Sequence, residues 1–311
     1  MTDSMIDPAV QPPVGPDTTA ERTVGKPLSK WTLYRRRFMR NRPAVAGIVI
    51  FVLLVLFAII APMLSPYSPS DLDFLNLNTG PNADHWFGTN NAGNDTFTQT
   101  AVGLQRSLMI AVTVSVGTTI ISALVGTAAA YFGGWTERII LLVIHFMMVV
   151  PSFLLLSIMS NDAGGDWRVI SLVMIFVVGW YFPARVIWTM ALSLREREYV
   201  QAARYMGVPG FKIVVRHLLP NIGSLLVINF TLGVVNAVMS ETGLSFIGFG
   251  VKIPDVSLGS LIGEGSGSIS SAWWLFVFPA LALTLLTVSM ALVADGLRDA
   301  LDPTSAAGGR A

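Results

Sequence analysis

Six stretches of this chain are long and apolar enough to cross a lipid bilayer as helices, and nothing else in the sequence constrains the fold as tightly. Crossing the hydrocarbon core takes about 17–25 predominantly apolar residues. Residues 44–64, 108–132, 139–160 and 272–294 meet that requirement most clearly. Two others are less clean: 169–192 carries Arg185 toward its end, and 222–239 is short and includes Asn229 and Asn236. With 53% hydrophobic residues, 13% charged residues and a mean hydropathy of +0.63, the chain needs lipid as its solvent. The expected architecture is all-α, a polytopic membrane protein with six transmembrane helices. The first span begins beyond residue 40 and is longer than a signal-peptide core, so it reads as an uncleaved anchor.

Orientation follows from the cations. Eight Lys or Arg residues lie between Arg22 and Arg42, ahead of the first span, which places the N-terminus in the cytoplasm. Alternation then puts the C-terminus there too. Under this topology sixteen Lys and Arg residues lie in cytoplasmic segments, against Arg168 and Lys252 outside, with Arg106 and Arg185 at helix ends where long side chains snorkel.

The chain divides into a disordered cytoplasmic tail (1–28), a basic juxtamembrane segment (29–43), a transmembrane domain (44–303) with a cytoplasmic loop at 195–221, and a short cytoplasmic tail (304–311). The basic segment is read as setting topology rather than as binding a particular lipid, although its composition allows both. The first outer loop, 65–105, contains Gly88, Thr89, Asn90, Asn91, Gly93, Asn94 and Asp95, a run suited to turns and helix caps. The last outer segment, 243–271, mixes seven glycines with apolar residues. It reads either as a re-entrant element or lid over a pathway, or as an ordinary packed loop. Pro151, Pro183 and Pro279 fall inside spans three, four and six and invite kinks.

The cytoplasmic loop is the most informative segment. Tyr199, Ala202, Ala203 and Met206 recur at i, i+3, i+4 and i+7, which predicts a short helix with one apolar stripe. Gly207, Pro209 and Gly210 end it. Phe211, Val214, Val215 and Leu218 repeat the spacing in a second short helix, Pro220 stops the run, and Asn221 is placed to cap the fifth span. A face of small residues suits a helix that docks into another protein, while an amphipathic helix resting on lipid is the competing reading.

The spacing Gln201-Ala202-Ala203, then Gly207, then His217, then Leu219-Pro220 resembles the EAA loop of binding-protein-dependent ABC importers. The resemblance runs from about residue 31 to 303 and is nearest to the second, C-type permease subunit of dipeptide and oligopeptide importers. Residues 191–199 (ALSLREREY), 241–250 (ETGLSFIGFG) and 295–303 (DGLRDALDP) resemble the same family. Two departures stand out in the loop: Gln201 replaces the acidic residue of the motif, with Glu198 one helical turn away as a substitute, and His217 replaces an isoleucine. In the first outer loop Asn90 and Asn94 stand where the family tends toward Asp and Arg, as a removed ion pair would leave them.

The resemblance implies a type I ABC importer permease fold. It also implies a prokaryotic cytoplasmic-membrane complex with a homologous permease, two ATPase subunits and an extracytoplasmic peptide-binding protein. The implied coupling residues are Glu198, Gln201, Ala202, Ala203, Gly207, Leu219 and Pro220. No phosphate-binding glycine loop occurs in the sequence, since Gly25-Lys26 is followed by Pro27, so ATP and Mg belong to partner subunits and this chain is not expected to be an enzyme. The absence of cysteine excludes thiolate metal sites and cysteine nucleophiles; no metal site, cofactor or nucleic-acid partner is expected. Polar groups within spans, Asn229, Asn236, Glu241 and His145, are the pathway candidates, with interhelical hydrogen bonding as the alternative role. Peptides are the expected cargo. Nickel complexes or glutathione carried by the same architecture, or an ion-coupled secondary transporter, are the alternatives.

Overall fold

A computed structural model describes residues 30–162 and 164–301; the expected tails 1–28 and 304–311 lie outside the described residues. A short helix, α1 (Lys30–Arg40), is separated from the first span, α2 (Arg42–Leu64), by Asn41. Asn41 is extended (φ −82°, ψ 97°) and its side-chain oxygen accepts the Ala44 amide at 3.2 Å. Pro43 follows in the first turn, where a missing N–H costs nothing.

The second span, α3 (Thr96–Phe132), is 37 residues long. At about 1.5 Å per residue it exceeds the hydrocarbon thickness and must project beyond it. It starts well before the apolar run at 108, so the segment between the first two spans is 65–95 rather than 65–105. The polar residues Thr96, Thr98, Gln99 and Thr100 are buried beneath that segment, which is why hydropathy alone missed this helical turn. The Asp95 carboxylate caps α3, accepting the Thr98 amide at 2.8 Å, and also contacts His85 Nδ1 at 2.9 Å. His85 stacks on Tyr67, with centroids 4.5 Å apart. Asn90 and Asn94 do not meet as a former ion pair would. The Asn94 side chain donates to the Asp71 carbonyl at 2.9 Å, and the Asn90 side-chain oxygen accepts the Asn94 backbone amide at 2.9 Å.

The third and fourth spans are broken. α4 (Gly134–Val149) and α5 (Ser152–Asp162) meet at Pro151 with a bend of 82°, and α6 (Trp167–Val177) and α7 (Tyr181–Arg195) meet with a bend of 42°. The second break sits at Gly179, whose φ is +84°, and not at Pro183, which occupies the tolerated first turn of α7. Pro279 lies within a continuous helix. The loop 195–221 forms α8 (Glu198–Tyr205), α9 (Gly210–Ile213), a π-turn (Val214–Leu218) and α10 (Leu219–Asn221). The remaining elements are α11 (Gly223–Phe246), α12 (Leu258–Ser266) and α13 (Trp274–Leu301). Thus α2, α3, α11 and α13 are unbroken candidate spans, and each bent pair counted as one span brings the total to six.

α3 is the axis of the bundle, packing against α2, α6, α7, α11 and α12, while α13 packs against α2, α11 and α12. Close approach depends on small residues, as expected where lipid removes the hydrophobic drive between helices. A Cβ on Gly126 would stand 2.5 Å from the Ala184 carbonyl, and one on Gly233 2.5 Å from Ser115 Oγ. The glycine-rich segment 243–271 follows the same logic. α11 continues through Phe246, and α12 buries Leu258, Leu261 and Ile262 against its neighbours. A Cβ on Gly259 would lie 2.6 Å from Thr242 Cα, and one on Gly265 2.5 Å from the Leu275 carbonyl. The segment is a packed element, in which Gly259 and Gly265 serve backbone proximity.

Candidate functional site

The loop 195–221 is anchored by a small apolar core of its own: Val200 and Ala203 from α8 pack with Ile213, Val214 and Leu218, flanked by Tyr131, Leu194 and Leu219. This corrects the stripe expected from spacing. Ala203 faces inward, but Tyr199, Ala202 and Met206 are exposed, as is Tyr205. In the second short helix Phe211 and Val215 are likewise exposed, while Ile213 replaces them in the core. The loop therefore has two apolar faces. One holds α8 to the bundle, and the other, carrying Tyr199, Ala202, Tyr205 and Met206, faces outward from this chain.

α8 ends in a Schellman motif, with Val208 N–H donating to the Ala203 carbonyl at 3.1 Å and Gly207 N–H to Arg204 at 3.0 Å. Gly207 has φ +77° and nothing within 4 Å of the Cβ it lacks, so glycine is required for conformation rather than for space. Glu198 is exposed in the first turn of α8. The Gln201 amide donates to the Arg195 carbonyl at 3.2 Å and to Glu196 Oε2 at 3.4 Å. Arg195 in turn contacts Glu196 at 3.0 Å and donates to the Ala130 carbonyl at 2.8 Å, tying the end of α7 to α3 and α8. Leu219 packs on the loop core and Pro220 is exposed. Pro220 does not stop the helix: the π-turn ahead of it widens the chain where proline's ring would meet the carbonyl four residues back. Asn221 does not cap the fifth span, because its amide donates back to the His217 carbonyl at 2.6 Å.

A cavity of about 170 Å³ lies between α3, α7 and α11, lined by Thr118, Ser122, Gly179, Phe182, Asn229 and Asn236 among others. Thr118 and Ser122 hydroxyls donate to carbonyls of their own helix, leaving oxygen lone pairs toward the space. Asn229 Nδ2 is buried with no hydrogen-bond partner. The break at Gly179 opens onto the same space, as irregular backbone at membrane depth should. Two pathway candidates thus reach one cavity. The signal sequence reasoning passed over was Ser115, Thr118, Thr119 and Ser122 on one face of α3, at i, i+3, i+4 and i+7.

The other two candidates do not reach it. His145 is exposed on α4, on a face shared with Leu142, Phe146 and Val149. Glu241, expected near an interface, is fully buried. Its carboxylate accepts from Ser245 Oγ at 2.6 Å and from Ser107 Oγ at 3.4 Å. Ser107 Oγ in turn accepts the Leu258 amide at 3.1 Å, so Glu241 joins α3, α11 and the start of α12. It is a packing node.

Comparison with known proteins agrees with this geometry. A family model described as a binding-protein-dependent transport system inner membrane component matches residues 121–306, and one described as the N-terminal TM domain of oligopeptide transport permease C matches residues 29–81. The chain is 46% identical over 278 residues to the oligopeptide transport system permease protein OppC of Mycobacterium tuberculosis, covering 89% of this chain and 96% of that protein. It is 34% identical over 284 residues to the Bacillus subtilis protein of the same name, covering 91% and 93%. A multi-pass bundle with an anchored loop of this spacing, matched over nearly its whole length, belongs to the binding-protein-dependent inner-membrane permeases, as a C-type member of their oligopeptide transport branch.

Proposed function

We propose that this chain forms one half of the translocation pathway of an ATP-driven peptide importer, with both termini in the cytoplasm. A homologous permease supplies the other half, two ATPase subunits bind and hydrolyse MgATP, and an extracytoplasmic protein delivers the peptide. The relatives' roles as oligopeptide permeases support peptide as cargo, and the same kinship displaces the ion-coupled reading.

The observation that carries the coupling mechanism is the outward face of α8: Tyr199, Ala202, Tyr205 and Met206 are exposed on a helix whose opposite face is locked to the bundle. An exposed aromatic and methionine surface around a small residue is what a partner's groove would bury. When the ATPases close, α8 moves with them. The Arg195, Glu196 and Gln201 contacts pass that shift to α7, whose break at Gly179 lines the cavity. A rigid lever ending at a hinge beside the pathway can change the side on which the pathway opens.

The test is Ala202→Arg, which adds bulk to the exposed face without touching the core. It should leave the chain folded and in the membrane, abolish peptide uptake, and weaken recovery of the ATPase subunits or uncouple their ATP hydrolysis. Gly207→Arg should do the same with an added conformational cost. Ala203→Asp is the poorer probe, because Ala203 is buried and the variant would unfold the loop. Normal uptake by a correctly assembled Ala202→Arg importer would refute the docking role.

A further inference from the structure

We propose that the groove between α1, α11 and α13 is a binding site for one anionic glycerophospholipid, with its acyl chain among Tyr34, Phe38, Val227, Leu297 and Leu301 and its phosphate at Arg35. The cavity has a volume of about 500 Å³, within the range of small-molecule sites. Phe38 is held against Ala44 and Ala300, which fixes α1 across the end of α13 and makes the groove a shaped space. Arg35 and Thr32 are its polar lining. Arg35 is exposed, free to meet a phosphate at the mouth while the wall beneath stays apolar.

Charge selects the occupant. Residues 30–42 contain Lys30, Arg35, Arg36, Arg37, Arg40 and Arg42 and no carboxylate. Among the described residues the acids at this end of α13 are Asp295 and Asp299; the Asn41 amide donates to Asp299 at 3.1 Å, and no described acid lines the groove. A basic helix at a membrane surface attracts anionic lipid in general. A single cation at the lip of an apolar cavity does more, because phosphate and chain are recognised together. Topology setting needs the charges but not the groove. That α1 is a separate helix packed on α13, with a cavity beneath it, is what composition could not show.

The experiment is native mass spectrometry of the full chain in the assembly it forms, extracted in mild detergent and exchanged against mixed micelles containing phosphatidylglycerol or phosphatidylcholine. Wild type should retain phosphatidylglycerol in preference to phosphatidylcholine. Arg35→Glu should lower that retention by about fivefold, the scale of one cation at the surface, and Val227→Trp, which fills the groove without altering charge, should lower it as far. Arg36→Glu makes the same change of charge on an exposed residue that does not line the groove, and should retain the lipid. Equal loss from Arg35→Glu and Arg36→Glu would reduce the effect to bulk attraction and overturn the site. Retention indifferent to headgroup, or lipid bound only after residues 1–28 are deleted, would overturn it as well. If Val227→Trp fails to assemble, the Arg35 and Arg36 pair still decides. No readout depends on peptide transport, so the result stands apart from the cargo assignment.

Discussion

The Gln201 side chain reaches the Glu196 carboxylate at 3.4 Å, so the position where related loops carry an acid is here a donor to an acid five residues earlier. The joint between α7 and α8 is held by a polar network in which Arg195 also participates. Glu196 is largely exposed, so the network contributes less than about 1 kcal/mol to stability. Its value lies in fixing the angle of the lever. Gln201→Leu should leave thermal unfolding of the importer nearly unchanged while lowering peptide taken up per ATP hydrolysed, measured in proteoliposomes. An unchanged coupling ratio would mean that the joint is held by packing alone.

Asn229 lines the cavity, and its amide nitrogen is buried with no hydrogen-bond partner among the described residues. An unmet buried donor costs about 1–3 kcal/mol, so Asn229→Ala should not destabilise the fold and should raise the melting temperature slightly. Peptide uptake should nevertheless fall, because the side chain lines the cavity proposed as the pathway. A variant that is less stable and transports normally would show the cavity to be incidental.

Glu241 is predicted to matter for folding and not for cargo. Glu241→Ala removes the acceptor of Ser245 and Ser107 and leaves a void among α3, α11 and α12, costing about 2–4 kcal/mol. Glu241→Gln keeps the size and one acceptor and should cost about 1 kcal/mol. Tryptophan fluorescence during thermal unfolding in detergent separates the two.

The contact between α2 and α13 has no spare room. A Cβ on Gly47 would lie 2.8 Å from the Ser289 carbonyl, and one on Gly296 would collide with Ala44 Cβ. Gly296→Leu should therefore separate the two helices and abolish recovery of folded protein, an overpacking cost of more than about 3 kcal/mol. Gly223→Leu, at a glycine with nothing nearby, should be tolerated. Yield of monodisperse protein by size-exclusion chromatography reads both.

The outer segment should weaken only in strong acid. Hydrogen bonds from the Asn76 side chain and the Leu75 amide hold Asp73 below its ordinary value of 3.8. A carboxyl whose folded pKa is depressed contributes stability that is complete above its unfolded pKa and lost as pH falls through the folded one. Limited proteolysis of 65–95 should accordingly be flat from neutral pH to about pH 5 and rise only below about pH 4. Asp73→Asn should remove that acid-dependent rise.

Transmembrane class and a loop of short helices were legible in the sequence because they depend on local quantities: apolar runs long enough to span, and glycine at the one position in the loop that needs positive φ. The same reading placed Asn229 and Asn236 on one face of α11. It failed where the deciding neighbour is distant. Thr96 to Ser107 looked like loop because of their polar side chains, which are buried by distant parts of the chain: Thr98 and Gln99 bond to Ser65 and the Pro69 carbonyl, and Ser107 to Glu241. Ala202 and Ala203 are equivalent in the sequence, and only packing against Ile213 and Leu218 turns one inward and leaves the other exposed. Glu241 looked interfacial because Ser107, which together with Ser245 one helical turn away makes its burial tolerable, comes from a distant part of the chain. Hydropathy and spacing follow from each residue's own solvation and backbone preference, so the chain order carries them. Burial, hydrogen-bond partners and cavities are properties of pairs brought together by the bundle, and only the tertiary structure decides them.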